Sequence, residues 1–337
     1  MKNVQIVIPE LFLPQQLARD ACAGLQFNGL EKFLARAEPA VLQADSLESW
    51  LCEIFGVADL GLAPLMLQAD GVQPAEAYWM CADPVHIRLQ GDQMILQSDV
   101  TPTPDETVQL CASLNAHFAE DGLSFVAPHP QRWYVRLSAV PDLQTQPLSQ
   151  VAGVNIQAHL PAGSDTLRWH GVFNEIQMLF FTHAVNQLRE ERGEPSINSV
   201  WFWGGGVASG TLLRPCAQVI ADSGMALALA SAAGVSAVSL PGGQDVNVDG
   251  AGGDVLIVWE GLQAALQRGD LGAWRNSLQQ FERACMTPLL QALKAGKIGQ
   301  ITLDVPNKDS GRRHVLTRAA LWKLWRYPRP LAYYGQV

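Results

Sequence analysis

The sequence predicts an α/β protein with a mainly parallel sheet flanked by helices and a smaller α+β unit inserted into that core. Three observations predict it. Short apolar runs alternate with helical periodicity over residues 199–303, the pattern of a parallel sheet covered by helices. The chain opens on the same β-then-α arrangement, an apolar run at 4–8 followed by helical spacing over 25–37. Between the two, Thr101-Pro102-Thr103-Pro104 breaks the pattern, and beyond it come strand-like pieces joined by loops rich in Pro and Gln. The expected division is a core of residues 1–100 and 195–337 with an inserted unit of residues 101–194.

Each element has its own local reason. Residues 4–8 suit a central strand, and Leu30, Phe33 and Leu34 give the helix that follows an apolar side. Ser46 is placed as the N-cap of a helix over 46–55, with Trp50, Leu51, Ile54 and Phe55 on one face. Gln90-Gly91-Asp92 joins two alternating runs, 79–89 and 93–97, into a hairpin. Residues 105–120 form an amphipathic helix, and strand-like pieces follow near Phe125, over 133–137 and over 154–160. Residues 171–192 read as one long helix ended by Gly193. After it the spacing predicts a strand at 199–203, a Gly-rich turn, a helix at 224–233, and strands at 235–240 and 254–259. A long helix from Leu271 to about Lys294, kinked at Pro288, precedes a last strand at 298–303.

Composition narrows the function classes. The chain has 337 residues, 48% apolar and 16% charged, the balance of a packed globular protein. A net charge of −9 disfavours nucleic acid and anionic membrane as partners. The six cysteines show no CxxC spacing and read as reduced thiols. The N-terminus lacks the long apolar region of a signal peptide, and the most membrane-like stretch, 225–240, falls below the ~18 residues a span needs. The expected location is the cytoplasm.

Four constellations could carry chemistry. In Trp201-Phe202-Trp203-Gly204-Gly205-Gly206, a strand runs into three glycines whose exposed N–H groups could cradle an anion, or the glycines simply make a tight turn. In Asp83-Pro84-Val85-His86-Ile87-Arg88, alternation puts His86 and Arg88 on one strand face, where Asp83 could orient the imidazole; alternatively Asp-Pro only starts a turn. On the 171–192 helix, Glu175, Thr182, Asn186 and Arg189 share a face that lines a cleft or is merely solvated. The C-terminal run from Arg312-Arg313-His314 to Tyr334 interleaves cations with aromatics, as single-strand binders do, although a tail packed on the body or a partner-binding patch fits the net charge better. GxSxG, HExxH and paired Cys/His spacings are absent, and the seven histidines are isolated.

The order of landmarks resembles the archaeal-type, cofactor-independent phosphoglycerate mutases of the alkaline-phosphatase-like superfamily. It is more similar still to the proteobacterial RpfE-type regulatory proteins. Leu30-Glu31-Lys32-Phe33-Leu34-Ala35 resembles the mutases' Asn-Leu-Asp-Lys-Leu-Ala helix, and Ala63-Pro64-Leu65 their Gly-Pro-Leu stretch. Residues 198–206 are similar to their Asn-x-x-Leu-Leu-Trp-Gly-x-Gly strand, and Gly269-Asp270-Leu271 to a Gly-Asp element. The run from Ala82 to Arg88 is the most RpfE-like feature.

The resemblance implies an alkaline-phosphatase-like core, and in the mutases a serine nucleophile works beside two divalent metals. Carried over by position, the first metal-binding Asp falls at Pro9 or Glu10 and the nucleophile near Ser46 or Leu47. Two ligands fall on Gln263 and Gln267, an Asp-His pair on Asp304-Val305, and a final His near Leu324. Amides and aliphatics supply neither the charge nor the donor strength that two close cations need. The expectation is therefore a phosphoglycerate-mutase-like protein without metal or other cofactor, serving a regulatory or binding role. Its expected cleft holds Asp83, His86, Arg88, Asn174, Glu175, Gly204, Gly205 and Gly206, for an anionic small molecule or a protein partner. The alternative is a mutase, phosphotransferase or hydrolase with a rebuilt site, using His86 as acid/base, Arg88 as anion clamp, or Ser46 as nucleophile.

Overall fold

The protein's structure is a computed structural model that describes residues 1–208, 210–240, 245–308 and 311–335. It divides into unit 1, residues Met1–Gly56 with Leu212–Val337, and unit 2, Val57–Thr211. The first six strands are β1 (Lys2–Val7), β2 (Glu38–Leu42), β3 (Tyr78–Gln90), β4 (Gln93–Gln97), β5 (Leu123–His129) and β6 (Arg132–Leu137). The next six are β7 (Ser199–Val207), β8 (Gln218–Ala221), β9 (Ser236–Ser239), β10 (Val255–Val258), β11 (Ile298–Val305) and β12 (Gly311–Thr317).

Unit 1 carries a seven-stranded sheet in the order β2-β12-β11-β1-β10-β8-β9. β1 lies parallel to both β10 and β11, with Val4 opposite Val255 and Ile301, and β8 and β9 extend the parallel part. β12 and β2 add an antiparallel edge. β10 is apolar and buried along its whole length, as a strand covered on both faces requires. On one face Ile6, Ile257 and Leu303 share a core with Leu30 and Phe33 of helix Asn28–Arg36 and with Trp274 and Phe281 of helix Leu271–Phe281. The other face receives helix Leu47–Phe55, which starts at the Ser46 capping box and stops at Gly56 in the left-handed conformation.

Unit 2 is built on an antiparallel five-stranded sheet, β4-β3-β6-β5 with β7 on the other side of β3. Met80, Ala82, Trp133, Val135, Val200 and Phe202 form one face of it, packed in a single core with Leu110 and Leu114 of helix Pro104–His117 and Trp169 and Ile176 of helix Thr166–Phe181. Among the described residues no helix is long and apolar enough to cross a membrane.

Several expectations need correction. Residues 57–100 and 195–211 lie in unit 2 rather than in the core, because the 13-residue β3 pairs with β6 and β7. The strand expected at 154–160 is a 3-10 turn, Ile156–His159, capped by the Asn155 side chain, which accepts from the Gln157 N–H. The long helix over 171–192 is two, Thr166–Phe181 and Ala184–Glu191. Asn186 enforces the break, donating to the carbonyls of Phe180 and Ile197, both at 2.8 Å. β9 is an exposed edge rather than a buried strand. The irregularity expected at Pro288 takes the form of a π turn, Glu282–Met286, in the preceding turn, where a proline cannot return the usual hydrogen bond.

Candidate functional site

The residues expected to line one cleft lie on different surfaces of unit 2. Met80 and Ala82 face the helices of the main core, so alternation turns Cys81 and Asp83 to the opposite side of the sheet, toward helix Ala63–Ala69. There Asp83 is 6% exposed and accepts a hydrogen bond from Trp203 Nε1 at 2.7 Å. Burial pushes its carboxyl up to about 7, against the opposing effects of the Trp203 and Trp133 hydrogen bonds and the Arg132 charge. The same alternation sends His86 and Arg88 away from Asp83, so Asp83 does not orient the histidine. His86 Nδ1 instead lies 2.8 Å from the Ser196 carbonyl, and Arg88 is exposed. Asn174 and Glu175 sit on the solvent side of helix Thr166–Phe181, where Glu175 meets His117 at 2.9 Å.

The three glycines do not form an anion-binding turn. They continue β7, with Gly206 opposite Trp79. A Cβ on Gly205 would stand 2.4 Å from the Tyr78 hydroxyl, and one on Gly206 would stand 2.8 Å from Gly61 Cα. Gly205 and Gly206 serve close packing, while Gly204 takes the left-handed φ of 67° that a side chain disfavours. Thr182 is exposed as Glu175 is, but Asn186 and Arg189 do not share that surface: Asn186 is buried, and Arg189 is 2% exposed and pairs with Glu106 at 2.8 Å.

Sequence reasoning missed a polar cluster on the Asp83 side of the sheet. Asp70, at the end of helix Ala63–Ala69, accepts from Arg132 Nε at 3.0 Å and from the Tyr134 hydroxyl at 2.7 Å. Burial pushes Asp70 up, but these bonds and the Arg132 charge together hold it below the usual carboxylate range. Its only sequence signal is the Arg-x-Tyr alternation in β6.

In unit 1 the chemistry-bearing residues gather at the C-terminal ends of the parallel strands, where ligands bind in open α/β sheets. Asp304, at the end of β11, is 0% exposed. Both of its oxygens are engaged by Arg313, Nε to Oδ1 at 2.6 Å and Nη2 to Oδ2 at 2.7 Å. Trp50 Nε1 at 3.0 Å and Gln5 Nε2 at 2.8 Å complete its shell. Asp222, after β8, accepts the backbone N–H groups of Glu260 at 2.8 Å and Gly261 at 3.2 Å. Burial pushes Glu260 up to about 8, opposed by a Ser223 hydrogen bond and reinforced by the Asp222 and Glu48 charges. The Ser46 hydroxyl accepts from Ser49 N at 3.1 Å as a helix cap.

These residues do not fit a pair of divalent metals. Gln263 and Gln267 stand on helix Gly261–Gln267, Val305 is a buried aliphatic and Leu324 is exposed. Both oxygens of Asp304 already face a guanidinium. Among the described residues no group of three or more His, Cys, Asp or Glu is arranged to hold a metal ion. In the C-terminal run three cations are paired with carboxylates, Arg313 with Asp304 and both Lys323 and Arg326 with Glu38, while Trp322, Trp325 and Tyr327 are exposed.

The chain is similar in structure to a cofactor-independent phosphoglycerate mutase from Thermoplasma acidophilum DSM 1728, with a TM-score of 0.50 and 12% identity, over 100% of this chain and 96% of that one. It is also similar to the PH0037 protein from Pyrococcus horikoshii, with a TM-score of 0.54 and 12% identity, over 99% of this chain and 92% of that one. No protein-family profile matches the sequence, and no curated protein matches it. At this identity the likeness is one of fold: a mixed α/β architecture with a mainly parallel sheet flanked by helices, of the phosphoglycerate-mutase-like kind.

Proposed function

We propose that this phosphoglycerate-mutase-like chain does not perform two-metal phosphoryl transfer and serves instead as a regulatory protein that binds an anionic metabolite or a protein partner. The observation that carries the reading is the Arg313 fork on Asp304. A guanidinium presents its donors to the same two carboxylate oxygens a cation would need, and it supplies the compensating charge from within the fold. Neutral residues at Gln263, Gln267, Val305 and Leu324 support the same reading. The regulatory part of the proposal draws on the resemblance to RpfE-type proteins.

The test is an assay of the purified chain with phosphoglycerates and p-nitrophenyl phosphate, with and without Mn²⁺ or Zn²⁺. No metal-dependent turnover is expected. Metal-dependent turnover that disappears in Asp304→Asn would overturn the proposal.

A further inference from the structure

We propose that unit 1 contains a binding site for a small organic monocarboxylate with an apolar body, in a cavity bounded by helix Asn28–Arg36, the β2–β12 edge and the C-terminal turn Leu331–Tyr334. The cavity measures about 580 Å³. That is the size of pockets that take metabolite-sized ligands, which run to ~300–1,000 Å³. Its wall is apolar, formed by Leu34, Ala37, Pro39 and Val41, with Tyr333 and Tyr334 adding aromatic surface. Arg312, His314 and Arg326 supply the polar groups, and among the described residues lining it none is acidic.

His314 is the observation that points to a ligand. It is 6% exposed and lines the cavity, yet among the described residues no group bonds either of its ring nitrogens. An unsatisfied buried polar atom forfeits the hydrogen bonds it makes in water, so such atoms are kept where something else meets them. Burial and the adjacent Arg312 hold its imidazole down to about 4, against the pull of Asp304, so at neutral pH the ring offers one N–H donor and one bare nitrogen. The Phe12 ring packs edge-on at 6.0 Å and limits how the imidazole can turn.

Charge selects a monoanion. Arg326 is already compensated, its Nη1 lying 3.3 Å from Glu38 Oε1 and 3.2 Å from the Ala37 carbonyl. Arg312 donates to the Tyr334 carbonyl and stacks over Phe12 at 5.3 Å, but among the described residues no carboxylate pairs with it. One uncompensated guanidinium beside a neutral imidazole matches one negative charge. The apolar wall requires a body behind that charge, since a bare inorganic anion would leave the wall wetted.

The proposal does not rest on the loss of phosphoryl chemistry. Alternation along β12 puts Arg312 and His314 on the sheet face opposite Arg313 and Asp304, so either reading can fail alone.

The experiment titrates the full chain with 4-phenylbutyrate by calorimetry, beside 4-phenylbutanol and inorganic phosphate. Saturable one-to-one binding of the carboxylate is expected, about tenfold or more tighter than the alcohol, with phosphate failing to compete. Arg312→Gln should weaken it about tenfold, and His314→Phe, which fills the same space without the nitrogens, should weaken it severalfold while folding normally by circular dichroism. Arg168→Gln, an exposed position in unit 2, should leave it unchanged. Equal binding of the alcohol, displacement by phosphate, no binding of the carboxylate, or indifference to both Arg312→Gln and His314→Phe would each overturn the proposal.

Discussion

Arg313→Met gives the sharpest test of the way unit 1 holds Asp304. The carboxylate is fully buried and accepts four hydrogen bonds, two of them from Arg313, which is its only cationic partner among the described residues. Methionine keeps much of the volume and removes both donors and the charge. Truncating one partner of a buried ion pair leaves the other uncompensated, at a cost of about 3–5 kcal/mol. Unit 1 has about 180 residues, and an unfolding entropy of ~2.1 cal/mol/K per residue gives it about 0.4 kcal/mol/K. The expected fall in Tm is then about 8–13 °C for the transition of that unit. Asp304→Asn should cost less, because the Arg313 it releases is only partly buried and can rehydrate. The double variant should recover part of the single Arg313→Met loss, the signature of coupling. Calorimetric scans of the four proteins decide it. A fall of less than about 2 °C for Arg313→Met, or a Tm of the parent chain raised by Mn²⁺ in an Asp304-dependent way, would refute the argument.

Three further outcomes follow from other parts of the chain. Asp83 has its folded pKa raised to about 7 from 3.8, so the folded state binds more protons than the unfolded one between those values, and its contribution to stability falls as pH rises through that window. Asp83→Asn should remove a penalty on the order of 4 kcal/mol above pH 7 and little below pH 4; denaturant titrations at pH 5 and 8 would contradict this if the variant gained no stability relative to the parent at the higher pH. Ser46→Ala should lose about 1 kcal/mol, the value of its cap, which appears in a scan as a Tm lower by about 2–3 °C. Gly205→Ala should destabilise unit 2 by about 1–3 kcal/mol through collision with the Tyr78 hydroxyl 2.4 Å from the new Cβ, and adding Tyr78→Phe should return part of that loss, measured in urea.

What was legible in the sequence was local. β1, the Ser46-capped helix and the β3–β4 hairpin come from periodicity and turn chemistry that act over a few residues. What was not legible depends on partners far along the chain. Arg189 reads as one more polar residue on a helix face, but it is buried because Glu106, 83 residues earlier, meets it. The Asp70–Arg132 pair spans 62 residues. The glycines of β7 look like a turn until Tyr78 and Gly61 are seen to fill the space a side chain would need. The expected cleft fails for a related reason: Asp83 stands three residues before His86, so alternation puts it on the other face of the strand from His86 and Arg88.

β12 shows how far such parity reaches. Arg312-Arg313-His314 suggests a basic surface run, and no strand was expected there, nor at its partner β2, whose first four residues are exposed. Paired between β11 and β2, the three residues separate. Arg313 lies opposite Asp304 in register and neutralises it. Arg312 and His314 emerge on the other face, beside Phe12 and the apolar wall of the cavity. A slip of one residue would exchange the faces, breaking the Arg313 fork on Asp304 and taking Arg312 and His314 off the cavity side. The β11 register is pinned by its parallel pairing with β1, and the bidentate Arg313 fork holds β12 to it. The same fork that compensates Asp304 therefore also sets which residues reach the cavity, so Arg313→Met should disturb 4-phenylbutyrate binding only to the extent that β12 shifts. Arg312→Gln should weaken that binding with the strand in place.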